Sequence, residues 1–156
     1  MRDSASLAVL TTDAAGTGPS VRYVAGAPAA RIMSVTISPG SRAPAHATAP
    51  GRVLLAARPA HHGADGPAGL PALLDGVRAD GHALVDDELE AGLRSVAVTV
   101  HDRTGRAVAA VGVSTHAAGR APAATRAAVL PALRETAVAI EADLRVAGRY
   151  LPVPVP

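Results

Sequence analysis

The side chains able to do chemistry in this chain are six histidines, an acidic run at Asp86-Asp87-Glu88, and two serines, Ser95 and Ser114, set in strongly β-patterned segments. Histidines beside carboxylates suggest a metal centre. None of the six stands at the spacing of a metal motif, however, and His61-His62 falls in a Gly-rich loop. With no cysteine there is no thiolate site either. No metal and no cofactor are expected. A serine hydrolase would carry its nucleophile in a G-x-S-x-G elbow, which is missing, and the glycine-rich stretches lack phosphate-loop spacing. No catalytic residue is assigned and the chain is read as a non-enzyme, a small hydrolase using Ser95 or Ser114 being the last alternative. The acidic run reads as a solvated turn or helix start.

Strand pairing decides whether the two serines share a surface. Residues 94–101 and 106–114 flank Asp102-Arg103-Thr104-Gly105, a four-residue hairpin loop with glycine where a positive φ is expected. Closed without a bulge, the hairpin sets His101 opposite Arg106, Ser95 opposite Gly112 and Leu93 opposite Ser114. Alternation then gives one face of Val96, Val98, Val100, Ala107, Ala109, Val111 and Val113, suited to a covering helix. The other face carries Ser95, Ala97, Thr99, Ala110, Gly112 and Ser114. Small side chains with converging hydroxyls describe either the floor of a pocket for a small polar ligand or an ordinary solvent-facing surface.

The elements that position this hairpin follow from periodicity. Residues 6–11, 20–25 and 31–37 alternate as strands, the first two joined by a Gly-rich turn over 13–19. A helix is predicted from Thr48 as N-cap, with Pro50 tolerated in its first turn, through Val53, Leu54 and Leu55 to Ala57, where Pro59 stops it. Leu70, Leu73, Leu74 and Val77 step through a second helix capped at Gly81, and residues 82–85 form a short strand. Leu130, Leu133, Ala137, Ile140 and Leu144 define a long amphipathic helix beginning near Ala123 and perturbed at Pro131, with Glu141 and Arg145 an i,i+4 pair. The order of three strands, two helices, three strands and one helix predicts an α+β fold: an antiparallel sheet of about six strands flanked by helices. Residues 1–148 form one domain, and 149–156, where Pro alternates with Val, an extended tail.

Composition limits the functions open to such a domain. The chain has 156 residues, 49% hydrophobic and 18% charged, which excludes disorder and leaves room for one core. All basic residues are arginine, so a basic isoelectric point arises at a net charge of only +2. These arginines are not concentrated in one segment, and at 1% aromatic content the stacking platforms that hold single-stranded nucleic acid are missing. No apolar run approaches membrane-spanning length, so a cytoplasmic chain without membrane contact is expected.

Longer strings carry a resemblance. "RIMSVTISPGSRAPAHATAPGRVLLA" (31–56), "GHALVDDELEAGLRSVAVTVHDRTGRAVAAVGVS" (81–114) and "LPALRETAVAIEADL" (130–144), with "RDSASLAVL" (2–10) as the entry, resemble the C-terminal effector-binding domain of IclR-family transcriptional regulators. Together "RIMS", "GRVLLA" and "ELEAGLRSVAV" are most similar to the branch regulating protocatechuate, para-hydroxybenzoate and β-ketoadipate catabolism. The resemblance implies a GAF-like antiparallel sheet, sensing of a small carboxylate effector, and association as homodimers or homotetramers. Since nothing matches the winged helix-turn-helix, it implies no direct DNA contact by these residues. Control of transcription would run through an attached or partner DNA-binding module, or the chain would act as a stand-alone protein that oligomerises with full-length regulators. The effector contacts it implies are Ala49, Pro50, Asp86, Ser95, Gly112 and Ser114. This sequence departs from the family pattern in having Pro50, Thr99, Gly112 and Gly26.

Overall fold

The computed structural model describes residues 3–12, 18–29, 37–59 and 66–147. The strand expected over 31–37 lies outside the described residues except for Ile37, as do His61-His62, most of the turn over 13–19, and the tail. The elements are β1 (Ser4–Thr12), β2 (Pro19–Ala27), β3 (Arg42–Pro44), a 3-10 turn (Ala45–Ala47), α1 (Ala49–Ala56), α2 (Leu70–Asp80), β4 (Ala83–Asp86), β5 (Leu93–His101), β6 (Ala107–His116) and α3 (Pro122–Ala147). The strands form one sheet in the order β3-β2-β1-β6-β5-β4, with each neighbouring pair antiparallel. The fold is α+β, as the periodicity predicts.

Each helix starts and stops for a local reason. The Thr48 Oγ1 accepts the Gly51 N–H at 3.1 Å and caps α1, whose second residue, Pro50, has no N–H to satisfy. A Cβ on Gly51 would fall 2.1 Å from the Ala45 carbonyl oxygen, so only glycine lets the 3-10 turn fold back onto α1. All eight residues of α1 are buried. Helix α2 ends at Gly81, which takes the left-handed conformation (φ 69°) and returns its N–H to Val77. Helix α3 continues through Pro131.

The sheet has a helix on each face. Val96, Val98, Val100, Val111 and Val113 pack against Val129, Leu133 and Ala137 of α3, with Ile140 half-buried beside them. On the opposite face Ala97 and Ala110 pack under Val53, Leu54 and Leu55 of α1 and Leu74 and Val77 of α2. Leu73 and Leu144, expected on the buried stripes, are exposed.

The hairpin register differs from the expected one. His101 pairs with Ala107, and a shift between Val100 and His101 then sets Val100 against Ala109, leaving Val108 as an extra residue on β6. The loop is one residue longer than expected because Asp102 organises it: its Oδ1 accepts the N–H groups of Thr104 (2.8 Å) and Arg106 (3.1 Å) and the Thr104 hydroxyl (2.6 Å). Two one-residue changes add to two, so face membership is kept beyond the bulge and only the partners change. Ser95 now lies directly opposite Ser114, and Ala97 opposite Gly112. Ala107, expected on the valine face, packs instead with the α1-side cluster.

Candidate functional site

The small-residue face holds a cavity of about 200 Å3. Ser95 and Ser114 line one wall, Tyr23 of β2 another, and Arg42, Ala43 and Thr48 the approach to α1. Leu89, Glu90 and Leu93, in and just after the loop between β4 and β5, close a further side. The hydroxyls of Tyr23, Ser95 and Ser114 make no hydrogen bond to another described residue. No enclosed side-chain nitrogen or oxygen among the described residues lacks a partner, so these three oxygens reach accessible space. Burial pushes the Tyr23 phenol above its usual pKa, which keeps it a neutral donor. Arg42 adds positive charge at this cavity and Glu90 negative.

Of the residues named from sequence, the fold brings Ser95 and Ser114 onto the cavity wall and places the other four nearby, off its lining. Gly112 lies beneath Pro50: a Cβ there would meet the Pro50 Cγ and the Ala97 Cβ, each at 3.4 Å, so the bare Cα lets the proline ring rest on the sheet. Ala49 and Pro50 are buried. With the Gly51 N–H bonded to Thr48 and no N–H on Pro50, little of the first turn of α1 is left to meet an anion.

Asp86 meets an arginine. Its two oxygens accept the Nε (2.7 Å) and a terminal nitrogen (2.9 Å) of Arg94, which is 4% exposed. The other terminal nitrogen of Arg94 donates to the Arg120 carbonyl (2.5 Å) and the Thr125 hydroxyl (3.0 Å) at the start of α3. Its hydrogen bonds to Asp86 hold the Arg94 guanidinium above its ordinary pKa. The rest of the acidic run lies in an exposed turn, as the sequence predicts, while Asp86 is half-buried at the end of β4. Asp87 accepts the Gly92 N–H at 2.6 Å and closes the β4–β5 loop, its own φ at +57°. Glu88 forms a bidentate pair with Arg52 of α1, whose Nε donates to the His46 carbonyl at 2.7 Å. Thus Asp86 ties the cavity's loop to α3, and Glu88 ties it to α1.

Sequence reasoning missed Tyr23, Arg52 and Arg94. Arg94 shares strand parity with Val96, Val98 and Val100, and Tyr23 with the wholly buried Val21, so inward alternation was the available signal for both. For Arg52, within a helix apolar on every side, the signal is weaker.

Residues 17–142 match the family model described as bacterial transcriptional regulator IclR C-terminal. The chain belongs to the IclR C-terminal domain family. Its family is one of transcriptional regulators, not of enzymes. This IclR domain is 39% identical over 120 residues to the Pca regulon regulatory protein of Pseudomonas putida, an alignment spanning 64% of the chain and 40% of that protein. It superposes on the crystal structure of RHA06195 from Rhodococcus sp. RHA1 with a TM-score of 0.81 at 38% identity, over 92% of the chain and 62% of that structure. With the inducer-binding domain of an Acinetobacter PobR double mutant, in complex with 3-hydroxybenzoic acid, the TM-score is 0.75 at 26% identity, over 89% and 87%. The domain thus spans about two fifths of the Pseudomonas relative and three fifths of the Rhodococcus structure. Among the described residues no three histidine or acidic side chains cluster as a metal site, and no helix is long and apolar enough to cross a membrane.

Proposed function

We propose that this IclR domain senses a small carboxylate metabolite and conveys its presence to an attached or partner DNA-binding module controlling catabolic genes. The observation that carries this reading is the convergence on one cavity beside Thr48 of three hydroxyls that bond no other described residue. A binding site needs a few placed polar groups among apolar walls, and here Ile37, Ala43, Val85 and Leu93 supply the walls. At about 200 Å3 the cavity has the volume of roughly seven waters, small for a drug-sized ligand and suited to an acid of about ten non-hydrogen atoms. The complex of the PobR domain with 3-hydroxybenzoic acid supports a ligand of that class. Ser95 and Ser114 are the proposed donors to the carboxylate. Ala49, Pro50, Asp86 and Gly112 are proposed to act through the frame that holds them.

Calorimetry and melting with protocatechuate, para-hydroxybenzoate, β-ketoadipate, pyruvate and glyoxylate test the reading. Binding of at least one acid in the micromolar range, with a raised melting temperature, is expected; no heat and no shift with any of the five contradicts it.

A second reading, an interaction protein that assembles with full-length relatives, is favoured by the outer face of α3, where Val138 is 64% and Val146 58% exposed. Co-purification with an intact regulator, lost on Val138→Asp, is its expected signature.

A further inference from the structure

Tyr23 stands apart from the rest of the core. It is one of two aromatic residues in the chain and is 7% exposed. Its backbone is engaged on both sides, the N–H donating to the Ser41 carbonyl at 3.0 Å and the carbonyl accepting from the Gly40 N–H at 2.7 Å. Its hydroxyl bonds no described residue. Buried tyrosine hydroxyls ordinarily find a partner. Since this oxygen is not enclosed, it reaches the space that Tyr23 borders, which is the cavity. Ser114, 6% exposed, stands in the same condition on β6. Strand β1 separates β2 from β6 in the sheet, so the two hydroxyls border the cavity from different strands, with Ser95 beside Ser114.

We propose that Tyr23 is the specificity-determining residue of this cavity, donating to a second polar group on a ligand whose carboxylate is met by Ser95 and Ser114. The inference rests on the carboxylate-sensing reading and deepens it. The ligand class becomes a bifunctional small acid, with a hydroxyl or keto oxygen set across an apolar body from the carboxylate. A monofunctional acid of the same shape leaves the phenol desolvated and unpaired, and so forgoes the worth of one buried hydrogen bond.

Tyr23→Phe keeps the ring and removes only an oxygen that bonds no described residue, so the variant is expected to fold. The probes are 3- and 4-hydroxybenzoate against benzoate, titrated calorimetrically into the wild-type chain and Y23F. The wild type should bind one hydroxybenzoate about tenfold more tightly than benzoate. In Y23F that preference should fall to about one, with benzoate bound at least as tightly as by the wild type, since no phenol is left unpaired. An unaltered preference, or equal weakening of all three, overturns the Tyr23 assignment and leaves carboxylate sensing standing. A wild type that binds no probe overturns the assignment, and if it also fails to bind the wider panel of acids, the sensing reading fails as well. Should Y23F not fold, 3-fluorotyrosine in the wild type gives the same decision. The 19F signal of Tyr23, assigned with a Tyr150→Phe variant, should move further with the hydroxybenzoate than with benzoate at saturation, and equal movement or none overturns the proposal.

Discussion

The two faces of the central hairpin, built from the same two strands, are put to opposite uses. Toward α3, β5 and β6 present Val96, Val98, Val100, Val111 and Val113, which meet Val129, Leu133 and Ala137 in an apolar layer. Toward α1 they present Ser95, Ala97, Gly112 and Ser114, and beyond the seat of Pro50 the surface is left partly unfilled as a cavity. Branched side chains fill one face because their volume can be matched by a long helix. On the other face the eight-residue helix α1 covers Ala97, Ala110 and Gly112, and past its start the hydroxyls of Ser95 and Ser114 border the cavity. Each substitution should therefore change either stability or binding according to the parity of its position.

The largest expected effect lies where the two faces are tied together. Asp86→Ala leaves Arg94 buried without its carboxylate and should destabilise the domain by about 3–5 kcal/mol in chemical denaturation. If Asp86 were mainly a ligand contact, D86A would weaken binding with the denaturation midpoint nearly unchanged. Leu133→Ala, on the dry side, should cost about 2–5 kcal/mol, and the variant should keep its ligand affinity wherever it remains folded.

The sequence makes the faces legible because a β-strand alternates with a period of two, and the bulge at Val108 together with the longer loop moved the register by two. The same arithmetic hides the partners. Nothing in the spacing of Ser95 and Ser114 distinguishes direct opposition from a diagonal, since that depends on how Asp102 closes the loop. Strand β3 is three residues long and ends in Pro44, too short for a period to show. The acidic run shows a related limit: Asp87 and Glu88 lie in an exposed turn as adjacent charges suggest, yet nothing local reveals that Asp86 and Glu88 pair with buried guanidinium groups on other elements. Of the cavity, the wall on β5 and β6 is legible from the hairpin, whereas Tyr23 and Arg42 arrive through strand order, which local pattern does not encode.

On the wet face, Ser114→Ala should change the midpoint of unfolding little, since its hydroxyl bonds no other described residue, while weakening a bound carboxylate by about 1–3 kcal/mol in calorimetry. A large loss of stability without loss of affinity would reverse the roles given to the two faces.

The smallest effect concerns pH. Burial works to raise the pKa of Glu141 on α3, but hydrogen bonds from the His101 N–H (2.8 Å) and ring (2.9 Å), with the charges of His101 and Arg145, outweigh it and hold the carboxyl below its ordinary value. A depressed folded-state pKa gives stability that is present above the unfolded value of about 4.3 and lost as pH falls through the lower, folded value. Glu141→Gln should therefore lower stability at neutral pH and flatten the acid limb below about pH 4, and an acid limb equally steep in both proteins would show that the pair contributes nothing.

The central claim, that the small-residue face receives a small carboxylate while the valine face does not, is tested most directly by residue-resolved NMR during titration with 3-hydroxybenzoate. Saturable shifts at Tyr23, Thr48, Ser95 and Ser114, with Val98, Leu133 and Ala137 still, are the result predicted. Shifts centred on α3, or none at millimolar ligand, would contradict it.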